Sequence, residues 1–188
     1  MRTALLVIDV QESFTRRPYF ADGDVPAYLA AQNRLIEGCE ARGIPIVRVL
    51  HVEAGDAGNP FALVSGLVRP LEGLRQFSAS HTVHKTRHSA LVGTGLDVWL
   101  VQQGIGQLIV SGIRTEQCCE TTARHASDLG WQVLFVPEAT LTFQMELPDG
   151  RPFLPDDIRA RTASVRQGRF ARVLSVADTL AHADARAD

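Results

Sequence analysis

Short runs of β-branched and aliphatic residues recur along the chain, separated by longer stretches in which apolar residues return every three or four positions. This alternation restricts the fold more than any other feature. Successive strands that run in the same direction need a crossover, usually a helix, and repeated units of that kind build a parallel sheet covered on both faces. Residues 4–8, 46–50, 81–84, 107–111, 132–136 and 171–174 read as strands, several of them continuously apolar, as doubly covered strands should be. Between them, residues 26–42 read as a helix with Asp24 as N-cap and Gly43 as its stop; residues 96–103 and 117–129 read as helices closed by Gly104 and Gly130. The expected fold is α/β: three layers, α-β-α, around a doubly wound, six-stranded, mainly parallel sheet, in one domain over residues 1–188. Residues 52–77 read as loop with room for one short helix, residues 146–155 as a Pro-Gly loop, and residues 182–188 as a polar tail that frays.

Composition narrows the function. Lys and Arg number 19 against 21 Asp and Glu, so no strong field favours nucleic acid or an anionic membrane, and a small-molecule substrate is expected. Apolar residues make up 45%, enough for a core without staples. The N-terminal apolar run is too short for a signal sequence and ends in Asp9, and no run reaches the roughly 18 residues of a membrane helix, which points to a cytoplasmic protein. Cys39, Cys118 and Cys119 form an odd set without metal-ligand spacing, consistent with reduced thiols.

In such a sheet ligands bind beyond the carboxyl ends of the strands, where the strand order reverses. Asp9 ends the first strand, Lys85 follows the third, and Gly112-Ile113-Arg114-Thr115-Glu116-Gln117-Cys118 follows the fourth and opens a helix. Cys118 would feel the positive end of the helix dipole, and a nearby Lys lowers a thiol pKa further, so a thiolate at neutral pH is expected. Backbone N–H groups of the same helix start would serve a developing oxyanion. Each residue also has a plainer reading. Cysteine is among the most buried residue types, Asp9 can cap the loop that follows it, and Lys85 lies in a polar run that suits a solvated loop.

Taken together, Leu6-Val7-Ile8-Asp9-Val10-Gln11-Glu12-Ser13-Phe14, Lys85-Thr86-Arg87-His88-Ser89-Ala90-Leu91 with Gly93-Thr94, and Gly112 through Ala123 make the chain resemble the isochorismatase-like cysteine hydrolases, which include nicotinamidases, N-carbamoylsarcosine amidohydrolases and ureidoacrylate amidohydrolases. The resemblance implies a triad in which Asp9 accepts the thiol proton, Lys85 supports thiolate and oxyanion, and Cys118 attacks a carbonyl to form an acyl-enzyme. It further implies a cis peptide between Ile113 and Arg114, with the amides of Arg114 and Cys118 as oxyanion hole, and a homo-oligomer, dimer or tetramer. Many nicotinamidases carry an Asp-x-His metal site after the second strand. Here Val49-Leu50-His51-Val52-Glu53 keeps one histidine and loses the aspartate, so no metal and no cofactor are expected. Relatives that hydrolyse an enol ether lack the nucleophilic cysteine, so Cys118 favours an amide, carbamoyl or ureido substrate. Cys119, where valine is usual, reads as a packing residue. Phe14, His51, Phe61, Arg87, Phe143 and Met145 lie on loops expected around the pocket. A thiol redox or small-molecule binding protein on the same scaffold is the alternative of another class. A nucleotide-binding module lacks its Gly-rich phosphate loop.

Overall fold

A computed structural model of the protein describes residues 1–184. Its elements follow the expected rhythm: β1 (Arg2–Ile8), α1 (Val25–Ala41), β2 (Ile46–His51), β3 (His81–Lys85), α2 (Leu96–Gln102), β4 (Ile105–Ile113), α3 (Glu120–Asp128), β5 (Gln132–Leu141), β6 (Met145–Glu146), β7 (Pro152–Phe153), α4 (Pro155–Ser164), β8 (Arg172–Val173) and α5 (Val176–Asp184). Six strands form one sheet in the order β3-β2-β1-β4-β5-β8, every neighbouring pair parallel. The chain builds outward from β1 to β3, then returns to β4 on the other side of β1. That reversal opens a crevice at the carboxyl ends of β1 and β4.

The period-2 alternation of β1 divides the core. Leu5 and Val7 face one layer with Leu35 and Ile36 of α1, whereas Ala4, Leu6 and Ile8 face the other with Leu96 and Leu100 of α2 and Ala123 and Ala126 of α3. All five of these β1 residues are buried, as a strand covered on both faces requires.

Several boundaries differ from the sequence reading. β4 and β5 run longer because they diverge at a bulge between Val110 and Gly112 and rejoin at Gly112–Thr140 and Ile113–Leu141. Asp24 is helical and makes no capping bond; its carboxylate accepts from Arg159 at 3.1 Å, and Pro26 opens the first turn instead. The expected Pro-Gly loop contains the antiparallel pair β6 and β7. Helix α4 was not expected; it buries only Ile158 and Thr162, too few for a visible period, although Pro155 with Asp156 and Asp157 is a start signal. Residues 182–184, expected to fray, belong to α5, and the rest of that tail lies outside the described residues. The loop after β2 holds one short helix, Leu63–Ser65. Among the described residues no helix is long and apolar enough to cross a membrane.

Candidate active site

The crevice is shaped by backbone first. Ile8 is paired with Val49 on one side and Gly112 on the other. Gly112 has φ +129°, and a Cβ there would stand 2.0 Å from the Ile8 carbonyl oxygen, so only glycine lets β4 approach β1 this closely. One residue on, Asp9 takes a left-handed φ of 53° while its N–H donates to the Val49 carbonyl at 2.8 Å. Asp tolerates that region better than most residues. The Ile113–Arg114 peptide is cis. Residues Thr115–Cys119 then form a π-type turn running directly into α3, so Cys118 sits in a wide helical turn rather than at an α-helix start. The turn is fastened by Thr115 Oγ1 donating to Thr140 Oγ1 at 2.8 Å and by Thr142 Oγ1 donating to Glu116 Oε2 at 2.6 Å. On the far side, register partners His51 and Lys85 lie side by side at the ends of β2 and β3.

These elements bring Asp9, Lys85 and Cys118 together. Lys85 Nζ stands 2.7 Å from Asp9 Oδ2 and donates to Cys118 Sγ at 3.3 Å and to the Arg87 carbonyl at 3.1 Å; His51 Nδ1 lies 3.3 Å away. The Asp9 and Lys85 side chains are fully buried. Burial raises the Asp9 carboxyl above 3.8 despite Lys85 beside it. Burial alone would lower the Lys85 ammonium, but Asp9 and then Cys118 hold it above its ordinary value. Burial and the neighbouring Asp9 charge push the Cys118 thiol up to about 12, against the pull of Lys85. The expected resting thiolate is therefore corrected to a thiol. A helix start and one ammonium do not offset loss of water and an adjacent carboxylate.

A pocket of about 360 Å³ opens onto Asp9 and Cys118. Phe14, His51, Phe61 and Arg114 line it, as do Arg17, Pro18, Tyr19, Glu53, His88 and Gln117, which the sequence reading did not single out. Arg17 and Tyr19 follow a 3-10 turn over Glu12–Arg16, and no periodicity marks them. His88, three residues past the β3 end, has Nδ1 3.8 Å from Cys118 Sγ; its membership in the same motif block as Lys85 was the available signal. The Arg17 guanidinium stacks 4.6 Å over Phe61 and pairs with Glu53 at 3.3 Å, while that of Arg114 stacks 4.7 Å over Tyr19 and pairs with Glu116 at 2.9 Å. Three expected residues stand elsewhere. Arg87 is exposed, its guanidinium donating to the Thr86 carbonyl; Phe143 packs behind Tyr19 and Phe20; Met145 belongs to the β6–β7 hairpin. Cys119 is fully buried in the layer that holds α3. Among the described residues no group of three or more His, Cys, Asp or Glu is arranged to hold a metal ion; His51 Nε2 faces Glu53 Oε1 at 3.5 Å. A larger hollow, about 600 Å³, lies at the amino end of β2 beside Trp99, away from these groups.

The geometry can be set beside known proteins. The Isochorismatase domain pattern matches residues 3–177. Nicotinamidase 3 of Arabidopsis thaliana is 31% identical over 157 residues, covering 77% of this chain and 75% of its own length. Ureidoacrylate amidohydrolase RutB of Serratia proteamaculans (strain 568) is 27% identical over 171 residues, covering 73% and 69%. The crystal structure of an isochorismatase from Pseudomonas putida KT2440 superposes with a TM-score of 0.82 at 25% identity, covering 94% of this chain and 89% of that one. With a domain match over nearly its whole length and relatives of this kind, the chain belongs to the isochorismatase family of hydrolases.

Proposed function

We propose that the protein is a cysteine-dependent amidohydrolase that cleaves a small amide, carbamoyl or ureido compound through an acyl-enzyme on Cys118. The observation that carries this reading is Lys85 Nζ lying between the Asp9 carboxylate at 2.7 Å and the Cys118 sulfur at 3.3 Å, with Asp9 and Cys118 both lining a pocket. Asp9, whose affinity for a proton is raised by burial, takes the thiol proton as sulfur attacks the carbonyl carbon. Lys85 stabilises the negative sulfur, and the amides of Arg114 and Cys118 receive the developing oxyanion. Asp9 returns the proton to the departing ammonia or amine. A water that then gives its proton to Asp9 attacks the thioester, and the thiol is regenerated. Relatives named nicotinamidase and ureidoacrylate amidohydrolase support a C–N bond as the target. The free thiols of Cys39, Cys118 and Cys119 suit a reducing compartment, and a thiol held as firmly as Cys118 weighs against a redox sensor. The test is ammonia release across a library of small amides and ureides: Cys118→Ala should abolish turnover of any substrate found without changing the fold. An alanine variant that still turns over overturns the assignment.

A further inference from the structure

Lys85 has more polar neighbours than protons. Its three N–H groups face four partners: Asp9 Oδ2 at 2.7 Å, the Arg87 carbonyl at 3.1 Å, and His51 Nδ1 and Cys118 Sγ, both at 3.3 Å. An ammonium only donates, so His51 must accept at Nδ1 and carry its proton on Nε2, which faces Glu53 at 3.5 Å. Glu53 is held in turn by Arg17 at 3.3 Å and by Asn59 Nδ2 at 3.0 Å, so the tautomer is set from the rim inward. Burial, and then the Lys85 charge, keep the His51 imidazole below its ordinary pKa and hence neutral.

A thiol accepts hydrogen bonds weakly and a thiolate strongly. The three N–H groups go to the Arg87 carbonyl, His51 and Cys118 Sγ, while Asp9 is held beside the ammonium as its ion-pair partner. When the S–H bond breaks and an O–H bond forms on Asp9, the N–H already directed at the sulfur meets a thiolate, which accepts it far more strongly. Lys85 keeps all three protons throughout. The proton transfer requires the ammonium to stay between acid and nucleophile, which the His51 and Arg87 acceptors accomplish. Building on the proposed role of Cys118, we infer that His51 is a positioning residue that pins the Lys85 ammonium so that one N–H stays directed at the sulfur as it becomes a thiolate.

The backbone of His51 is secured independently: its N–H donates to Gln11 Oε1 at 2.8 Å and its carbonyl accepts from Gln11 Nε2 at 3.0 Å. Side-chain replacement therefore leaves the strand end in place. His51→Asn keeps an acceptor near the Nδ1 position, and His51→Leu has nearly the same shape without one. The readout is the rate of Cys118 modification by iodoacetamide at fixed alkaline pH, mapped by peptide mass, which needs no substrate. His51→Leu should slow modification about tenfold, the equivalent of one hydrogen bond to a charged group, and His51→Asn should recover to within about threefold of the parent. Equal slowing in both variants, or slowing in neither while Lys85→Met is slow, overturns the inference alone. If Lys85→Met also reacts at the parent rate, the coupling of Cys118 to Lys85 fails, and the inference falls with it.

Discussion

Replacing Lys85 by Met leaves a side chain of similar length opposite Asp9 and removes the cation from a pair in which both side chains are fully buried. The carboxyl titrates at 3.8 in water; burial raises the folded value, and Lys85 is the largest influence pulling it back. Without that influence the folded value rises further. An acid whose folded pKa lies above its unfolded one favours folding fully below the unfolded value, and this contribution is lost as pH rises through the folded value. The deficit of the variant relative to the parent must therefore grow as pH climbs from 3.8. Above the folded value an unpaired buried charge costs about 3–5 kcal/mol, a large part of a total stability of about 5–15 kcal/mol. Near the acid end, where Asp9 is protonated in both states, only the lost hydrogen bonds remain, about 1–2 kcal/mol. Urea unfolding followed by tryptophan fluorescence, at about pH 3 and about pH 7.5, reads the difference directly. Adding Asp9→Asn to Lys85→Met should recover most of the deficit at the higher pH, because no orphaned charge is left. A deficit equal at both pH values, or larger at the acidic one, would refute the reasoning.

Two other outcomes follow from the same crevice. Gly112→Ala places a Cβ 2.0 Å from the Ile8 carbonyl at φ +129°, so backbone strain and overlap together should cost about 2–6 kcal/mol; a melting temperature equal to that of the parent would show that β1 and β4 can part freely. With the Cys118 thiol held up to about 12, its alkylation rate should climb without a plateau from about pH 7 to about pH 10, whereas a plateau near neutrality would indicate the stable thiolate that burial argues against.

The scaffold was legible because its signals are local and repeated. Doubly covered strands must be apolar throughout, so β1, β2, β4 and β5 announced themselves, and the rule that ligands gather at their carboxyl ends singled out Asp9, Lys85 and Cys118 together. What was hidden depends on contacts between distant segments. Arg17, Tyr19 and Glu53 reach the pocket through irregular chain, and their guanidinium, ring and carboxylate contacts cross between loops with no period to read. Arg87 and His88 are adjacent in sequence, yet His88 lines the pocket while the Arg87 guanidinium donates to the Thr86 carbonyl, a distinction with no period to read. The thiolate expectation failed for an energetic reason: dipole and lysine are visible in sequence, but the depth of burial and the closeness of Asp9 are not. Helix α4 escaped notice although its neighbourhood is consequential. Arg161 of α4 and the fully buried Arg166 just beyond it reach Glu120 at 2.6 and 2.9 Å, tying down the start of α3 two residues after Cys118.

In the proposed reaction Cys118 carries the acyl group during turnover. The most direct measurement of this is the mass of the protein, quenched during reaction with a turned-over amide or ureide and mapped to peptides. An increase equal to the substrate's acyl portion is expected on the peptide containing Cys118, lost when the reaction completes and missing in Cys118→Ala. Release of ammonia with the acyl mass on another residue, or by a Cys118→Ala protein, would contradict it.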